Sequence, residues 1–436
     1  MLTRRGLLGI GAAGTAALTL GACGDNAGSS GAGGGGGGDP LTGDLRLGWW
    51  GNPTRNENTE DAIAAYKEIA PDVTITPEAG DWSSYWDKLG TQVAGRDAPD
   101  VIQMDMAYIR EYGDRGALLD LSELVDTSKF AEGTADAGQL SDGLFGINCG
   151  VNSLTFLANP TLFEKAGMDL PDDASWTWDE MAEIGTELTA KSGGDFHGMP
   201  AWSGDDAINL WLRQNQKSFY TEDGFGFEAG DIVPFFTWLK GLLDSKAAPP
   251  AAVAVEDGSK SLDQQAFATG KMAIGSYWSN QVKALDAASG EDLVILRLPT
   301  HAGNADEGQF WYKASMLWSV SAQTDYPEAA AAVVDFLVNN EAAVKIIKAE
   351  RGLPPNLEMR ELIVGDLDAS DKKAADFIDA IAPGISDSPI PPLIGTTAVR
   401  TTLENTTNDM MFGKITPEQA ATQFYDTAKG QIEVKS

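Results

Sequence analysis

The sequence is poor in cysteine, histidine and basic residues, and each shortage excludes a class of protein. Two cysteines (Cys23 and Cys149) and two histidines (His197 and His301) provide neither a disulfide framework nor a cluster with metal-ligand spacing. The chain has 31 Lys and Arg against 64 Asp and Glu, a formal net charge of -33 at pH 7. A body this acidic is repelled by nucleic acid and by anionic lipid head groups, so neither is expected as its partner.

Signatures of phosphate binding and of covalent catalysis are also missing. The polyglycine run at 33–38 lacks the Lys-Ser/Thr ending of a phosphate-binding loop. No nucleophile elbow or metal-binding motif occurs along the chain. The sequence therefore predicts no cofactor and no metal, and Cys149 is interpreted as a small buried hydrophobe.

Residues 1–22 have the layout of an export signal. Arg4 and Arg5 precede an apolar, small-residue stretch at 7–20, which is too short and too rich in glycine for a membrane span. "TRRGLL" resembles the twin-arginine export signal, although two ordinary basic residues at the start of a signal peptide explain it as well.

The segment "LGAC", which ends at Cys23, resembles the bacterial lipobox. The resemblance implies cleavage before Cys23 and attachment of acyl chains such as palmitate to its thiol. The glycine-rich stretch that follows, residues 23–40, predicts a flexible tether with a reach of about 20–25 Å. We therefore expect a protein held at the extracytoplasmic face of the cell membrane by its lipid anchor alone.

The body of the chain alternates strand and helix patterns. Period-two or buried apolar runs predict strands at 44–51, 72–78, 99–105 and 150–160. Helical periodicity, caps and breakers predict helices at 56–71, 82–95, 108–124, 177–191, 326–348 and 416–432. Residues 263–279 are predicted to form a helix, a glycine turn and then a strand. Strands alternating with helices of this length predict an α/β fold with a mostly parallel sheet.

Several segments, taken in order, resemble the extracellular solute-binding proteins of ABC importers, in the large group that binds sugars and oligosaccharides. They are "PDVIQMD…GALLDLSEL", "ANPTLFEKAGMDLP…TWDEM", "FATGKMAIGSYWS", "YPEAAAAVVDFLVNNEAA", "RGLPP" and "TPEQAA", and together they extend over most of residues 44–432. One departure is "GINCG" at 146–150, where the family often has a proline before the chain crosses between lobes.

The resemblance implies a two-lobed fold of the periplasmic-binding-protein type, each lobe a mostly parallel sheet flanked by helices, with ligand in the cleft between them. The implied first lobe is residues 41–150 plus 301–350, and the second is 151–300 plus 351–436, joined by two or three crossover strands. Ligands of open α/β sheets lie beyond the carboxyl ends of the strands, and two such edges form a cleft that hinge motion can close.

The resemblance also implies a function. We expect a monomeric substrate-binding lipoprotein that captures a sugar or oligosaccharide and delivers it to the transmembrane subunits of an ABC permease, without chemistry on the solute. The opening segment "WWGNPTRNENT" (49–59) is similar to a subgroup that includes binders of plant oligosaccharides, some of them containing uronate.

A sugar offers hydroxyls and a flat apolar face, so its site needs aromatic surfaces beside acids or amides. Residues of these kinds at strand ends, in loops and near the crossovers are the candidates for ligand contact: Trp50, Asn52, Arg55, Asp81, Trp82, Asp105, Trp202, Trp278, Trp311 and Arg351. Five other tryptophans lie in helix or strand patterns and are assigned to cores: Trp176, Trp178, Trp211, Trp238 and Trp318.

Some of these candidates have a second interpretation. Asp81 and Asp105 also fit helix N-caps. Arg55 suits bidentate binding of a uronate carboxylate, but a solvated residue at a helix start fits it too, while Arg351 is a candidate fork for a hydroxyl or carboxylate.

Two other functions stay open at this point. A surface-anchored polysaccharide hydrolase or lyase would need two carboxylates on either side of the scissile bond, and the chain has many acids. Glycerol-phosphate esters are an alternative solute, but a phosphate site calls for more basic residues than these segments contain.

Overall fold

A computed structural model describes residues 41–51, 53–140 and 143–433. The predicted export signal, Cys23, the tether and Asn52 lie outside the described residues. In the part of the chain that is described, no helix is both long enough and apolar enough to cross a bilayer.

The described residues form an ordered series of helices and strands. The helices are α1 (Pro53–Ile69), α2 (Trp82–Gly95), α3 (Met106–Gly113), α4 (Pro160–Ala166), α5 (Trp178–Lys191), α6 (Asp205–Gln214), α7 (Ala229–Asp244), α8 (Ala251–Gly258), α9 (Val282–Ser289), α10 (Pro327–Asn339), α11 (Glu341–Ile347), α12 (Leu357–Val364), α13 (Ala369–Ala380), α14 (Thr396–Met411) and α15 (Pro417–Ala428). The strands are β1 (Gly43–Trp50), β2 (Val73–Gly80), β3 (Val101–Met104), β4 (Gln139–Leu140), β5 (Gly143–Leu144), β6 (Ile147–Asn148), β7 (Val151–Asn152), β8 (Leu154–Ala158), β9 (Ser218–Thr221), β10 (Gly224–Gly226), β11 (Ile274–Trp278), β12 (Val294–Leu296), β13 (Lys313–Ala314) and β14 (Leu317–Val320).

The first sheet has five strands in the order β2-β1-β3-β14-β6. β1 runs parallel to β2 and β3, whereas β14 is antiparallel to both β3 and β6. Because side chains alternate across a strand, Trp49 packs on one face of this sheet with α1 and α10, and Trp50 packs on the other with α2 and α3. Both faces are thus covered, as the sequence pattern predicts.

The second sheet differs from the predicted parallel arrangement. Its order is β11-β8-β12, and both neighbours run antiparallel to the central β8. Ile274 and Val294, which begin β11 and β12, both pair with Ala158 at the end of β8. The chain therefore re-enters the sheet at the end where β8 finishes, and a parallel neighbour would require a return to the opposite end.

Most of the buried side chains fall into two sets, one in each lobe, while a small cluster of Val344, Met359 and Ile363 joins the two ranges. The first lobe draws its core from residues 45–147 and 314–347, and the second draws its core from residues 151–312 and 353–428. Phe310, Trp311 and Tyr312 pack in the second core, although the sequence places residues 301–350 in the first lobe. The apolar contacts of residues 310–312, just before Lys313, are therefore with the second set.

Three extended segments connect the lobes side by side. β13 pairs with β7 through Ala314 and Val151, and Val151 also bridges to Leu353. Gly352 adopts a φ of +94°, which favours glycine, and Gly150 lies against the backbone of Arg351. The departure at "GINCG" is therefore compatible with a close crossing, because glycine takes the place where the backbones meet.

Local signals predict most of these elements. The capping boxes Thr177–Glu180 and Thr416–Gln419 are present, and Pro327 begins α10. Two expectations are wrong in extent: α3 ends at Gly113 rather than at residue 124, and residues 263–273 contain a short 3-10 turn instead of a helix. The predicted helix 326–348 is divided at Asn340, whose side chain caps α11.

Gly150→Ala is expected to destabilise the protein by about 1 to 3 kcal/mol, because a Cβ there would lie 1.7 Å from the carbonyl oxygen of Arg351. Gly241→Ala is the control, since nothing lies within 4 Å of a Cβ at that position in α7, and helix propensity favours a gain of up to about 1 kcal/mol. Urea unfolding of both variants measures the difference, and equal stabilities would contradict the close crossing.

Candidate functional site

A cavity of about 640 Å³, here called the cleft cavity, is the candidate site. The start of α3 contributes from the first lobe, and residues near the crossing at Lys313 line it as well. Its remaining wall belongs to the second lobe. The lining residues are Met106, Ala107, Asp205, Asp206, Asn209, Arg213, Ser218, Phe219, Tyr220, Trp278, Trp311, Tyr312, Lys313, Asp387, Ser388, Pro389, Ile390, Pro392 and Arg400. Its volume is within the range of about 300–1,000 Å³ that is usual for small-molecule sites.

Two adjacent carboxylates begin α6 on the second-lobe wall. Asp205 accepts a hydrogen bond from Nε of Arg400 at 2.7 Å. Asp206 accepts a long hydrogen bond, 3.3 Å, from the indole of Trp202. Burial, together with the negative charge of Asp205, raises the pKa of Asp206 to about 6. The cavity thus contains one carboxyl group that changes charge near neutral pH.

Arg213 is held rigidly by backbone and hydroxyl oxygens. Its guanidinium donates to the carbonyl of Gln309 at 3.0 Å, to the hydroxyl of Ser386 at 2.6 Å and to the carbonyl of Asp387. It also lies 5.4 Å from the ring of Trp311. Burial lowers the pKa of Arg213 to about 10, so it stays protonated at neutral pH.

Trp278 and Trp311, two of the candidates for ligand contact, both line the cavity. Trp278 ends β11 and is partly exposed, whereas Trp311 is 6% exposed. The ammonium of Lys313 lies 4.5 Å from the centroid of the Trp278 ring, a cation–π contact. Lys313 has no ion-pair partner among the carboxylates of the described ranges.

Aromatic rings cluster on the first lobe around Trp50. Trp82 and Trp86 lie 5.0 Å and 5.3 Å from it, and Trp86 stacks on Tyr108 at 3.8 Å. Trp50 is 8% exposed, but Trp82 is 47% exposed. Of the two tryptophans predicted here, Trp82 therefore presents the accessible ring, and the largely buried Trp50 contacts it in an edge-to-face arrangement.

The predicted acids of the first lobe occupy N-cap positions. Asp105 accepts a hydrogen bond from the backbone N–H of Ala107 and so caps α3, next to the cavity-lining Met106. Asp81 precedes α2 and is exposed, and its side chain makes no capping bond. The capping interpretation accounts for Asp105, while the carboxylate of Asp81 stays accessible to solvent.

Three other candidates do not line the cleft cavity. Trp202 is buried in the second core, where it stacks on Trp178. Arg351 is 1% exposed and donates to Gln103 and Thr59 in the first lobe. Arg55 donates to both carboxylate oxygens of Glu350 at 3.0 Å, so neither predicted arginine faces the cavity with a guanidinium available to a ligand carboxylate.

The assignments to the core agree with the structure. Trp176, Trp178 and Trp318 are at most 4% exposed. Trp211 and Trp238 are partly buried against the second core. Cys149 packs partly buried between the two first-lobe clusters, where burial raises its pKa to about 12.

Direct contacts join the lobes beside the cavity. The guanidinium of Arg110 in α3 donates to both carboxylate oxygens of Glu222, in the β9–β10 hairpin, at 3.0 Å each. Ser388 donates from its hydroxyl to the carbonyl of Gly133 at 2.7 Å. The two lobes are therefore in contact at this edge of the cleft cavity.

Sequence reasoning missed several polar residues of the cavity wall. Asp205 and Asp206 lie in "AWSGDD", three and four residues after the candidate Trp202. Lys313 lies two residues after the candidate Trp311. The doublet of acids at a helix start was an available signal. No sequence signal indicates Arg213 and Arg400, because they reach the cavity from helices whose sequence does not show which face is turned inward.

The fold and the cleft cavity define a two-lobed binding protein, and comparison with known proteins identifies its family. The family profile described as bacterial extracellular solute-binding protein matches residues 61–376. The chain belongs to this family of bacterial extracellular solute-binding proteins.

Individual relatives agree with this membership. The chain is 25% identical over 315 residues to an uncharacterized lipoprotein in the oleD 5′ region of Streptomyces antibioticus, covering 67% of this chain and 68% of that protein. A family 1 extracellular solute-binding protein from Alicyclobacillus acidocaldarius superposes with a TM-score of 0.74 at 26% identity, over 89% of this chain and 98% of that one. A periplasmic oligogalacturonide-binding protein from Yersinia enterocolitica has the same fold, with a TM-score of 0.77 at 21% identity and the same coverage.

Asp206→Asn is expected to stabilise the protein at pH 7.5 by about 1 to 3 kcal/mol. The folded pKa of Asp206, about 6, lies above the usual value of 3.8, because burial disfavours the charged carboxylate. The contribution of the protonated side chain to folding stability is therefore fully present below pH 3.8 and is lost as the pH rises through 6. The variant's advantage should therefore vanish towards pH 4. Thermal unfolding between pH 4 and 8 measures it, with exposed Asp61→Asn as the control. An advantage that does not vary with pH would contradict this charge state.

Proposed function

We propose that this protein captures a carbohydrate in the cleft cavity and delivers it to the membrane subunits of an ABC permease. The observation that carries the proposal is the mixture of surfaces in that cavity, where Trp278 and Trp311 lie beside the carboxylates of Asp205 and Asp206. Indole faces suit the apolar faces of sugar rings, and carboxylates accept hydrogen bonds from their hydroxyls. The family membership and the oligogalacturonide-binding neighbour support the same class of solute.

Ligand binding is proposed to act by closing the lobes. A solute that contacts both walls of the cleft cavity stabilises the closed arrangement by its greater affinity for that state. The lobes are proposed to move about the three segments at β7, β13 and Leu353. The permease then recognises the closed form.

A sugar that carries a carboxylate suits this cavity better than a neutral one. Lys313 lies over Trp278 without an ion pair to a described carboxylate, so its ammonium covers the ring on which a sugar would stack. A uronate would draw this ammonium away and expose the ring to the same ligand. Lys313, rather than Arg55, is therefore the proposed partner of a uronate carboxylate, because Arg55 is already paired with Glu350.

The site of action is proposed to be the extracytoplasmic face of the cell membrane. The lipobox at Cys23, the preceding export signal and the glycine-rich tether support attachment by acyl chains, with the body acting as a monomer. The relative described as a lipoprotein supports the same anchor.

Catalysis is the less favoured function. Hydrolysis of a glycoside uses two carboxyl groups on opposite sides of the bond, whereas Asp205 and Asp206 are adjacent residues on one wall, and Asp205 is paired with Arg400. Incubation with oligosaccharides tests this directly: saturable binding without product supports the receptor, and release of shorter sugars would overturn it.

Trp278→Ala is expected to weaken oligosaccharide binding by about 10- to 100-fold, because it removes the stacking surface. Titration calorimetry with a panel of di- and oligosaccharides provides the measurement. Phe412→Ala is the matched control, since Phe412 is 49% exposed and lies outside the cleft cavity. Equal affinities for the two variants would exclude Trp278 from the site.

Lys313→Met is expected to weaken the binding of acidic sugars but not that of neutral sugars. Binding of digalacturonic acid should weaken by about tenfold through the loss of a charge-assisted contact, while binding of maltose should stay the same or strengthen because the Trp278 ring is exposed. Lys345→Met, a change on the exposed surface of α11, is the control. A loss of affinity that is equal for both sugars would remove the preference for uronates.

A further inference from the structure

A second hollow adjoins the cleft cavity on the second lobe. This side pocket has a volume of about 230 Å³ and lies between the start of α6 and the inner face of α14. Its lining residues are Ser203, Gly204, Asp205, Arg400, Leu403, Glu404, Thr407 and Asn408. Asp205 and Arg400 also line the cleft cavity, so this pair of side chains separates the two spaces.

The partition between the two spaces is weak. Arg400 and Asp205 are joined by one ion pair at 2.7 Å, and their side chains are 58% and 37% exposed. Exposed pairs of this kind contribute about 0–1 kcal/mol, because water competes for both charges. When the pair separates, the hydroxyls of a ligand can accept a hydrogen bond from Arg400 and donate one to Asp205. Rotation of Arg400 away from Asp205 therefore costs little when a ligand occupies the boundary.

The lining of the side pocket indicates what it can hold. Ser203, Thr407 and Asn408 supply hydroxyl and amide groups, and Leu403 supplies an apolar surface. Thr407 is 2% exposed, and its hydroxyl has no hydrogen-bond partner among the described residues. Glu404 adds a negative charge, which disfavours a second carboxylate. These features fit an uncharged sugar unit, and the volume suits a single ring.

We propose that the side pocket is an accessory subsite for one uncharged, hydroxyl-rich sugar unit, which enters when Arg400 leaves Asp205. The inference rests on the proposed function, because it extends a carbohydrate already bound in the cleft cavity. It assigns to this chain a ligand of at least three units, with any carboxylate near Lys313 and a neutral end beside α14.

The experiment compares dimers with trimers by titration calorimetry on the whole chain. The probes are maltose, maltotriose, digalacturonic acid and trigalacturonic acid. Ser203→Trp places an indole in the side pocket, and Ser259→Trp, at an exposed serine that lines neither the side pocket nor the cleft cavity, is the matched control. Glu404→Gln removes the negative charge but preserves the shape of the side chain.

We expect the third neutral unit to strengthen binding by at least fivefold in the unmodified chain and in Ser259→Trp. Ser203→Trp should abolish this gain while leaving the affinity for the dimer within twofold, which also shows that the variant is folded. The third unit of trigalacturonic acid should add less, and Glu404→Gln should restore its contribution. Equal affinities for dimer and trimer, or a gain that persists in Ser203→Trp, would overturn the subsite and leave the proposed function intact. If none of the four sugars binds, the carbohydrate assignment itself fails, and the subsite fails with it.

Discussion

The close approach of the three segments that connect the lobes is the constraint on which the remaining structure depends. Val151 pairs with Ala314 on one side and with Leu353 on the other, so these three segments lie side by side in one narrow array of hydrogen bonds. Gly150 allows the array to form, because no side chain fits against the carbonyl of Arg351. The guanidinium of Arg351 is buried in the first lobe, where its bonds to Gln103 and Thr59 offset part of the cost of its desolvation. The crossing is thereby fixed to one lobe.

The cleft cavity depends on this arrangement, since its walls come from both lobes and from the segment that ends at Lys313. Contacts on the same side, such as the bidentate pair between Arg110 and Glu222, join the lobes directly. The polar groups of the cavity differ in how firmly they are held. Arg213 is fixed by three acceptors, whereas Lys313 rests on an aromatic ring. Rigid and movable charges thus lie within one site, which suits recognition followed by closure.

The sequence predicts much of the fold where local chemistry determines structure. Caps such as Thr177 begin helices at the expected residues, and the alternation of Trp49 and Trp50 follows from strand geometry. The pairing direction of the second sheet is not a local property, because it depends on where the chain re-enters beside β8. The same distinction applies to the site. Trp278 ends a readable strand and lines the cavity, but the burial of Trp202 and the inward face of Arg400 depend on packing between distant helices.

The position of β14 has a consequence for biosynthesis. This strand lies between β3 and β6 in the first sheet, although residues 317–320 follow the whole of the second sheet in the chain. An emerging polypeptide that has reached residue 300 can contain the central strands of the second lobe, while the first sheet still lacks its penultimate member. The amino-terminal lobe is therefore completed after much of the carboxyl-terminal one, and the nascent protein exposes the unpaired edges of β3 and β6 until about three quarters of its translation is finished.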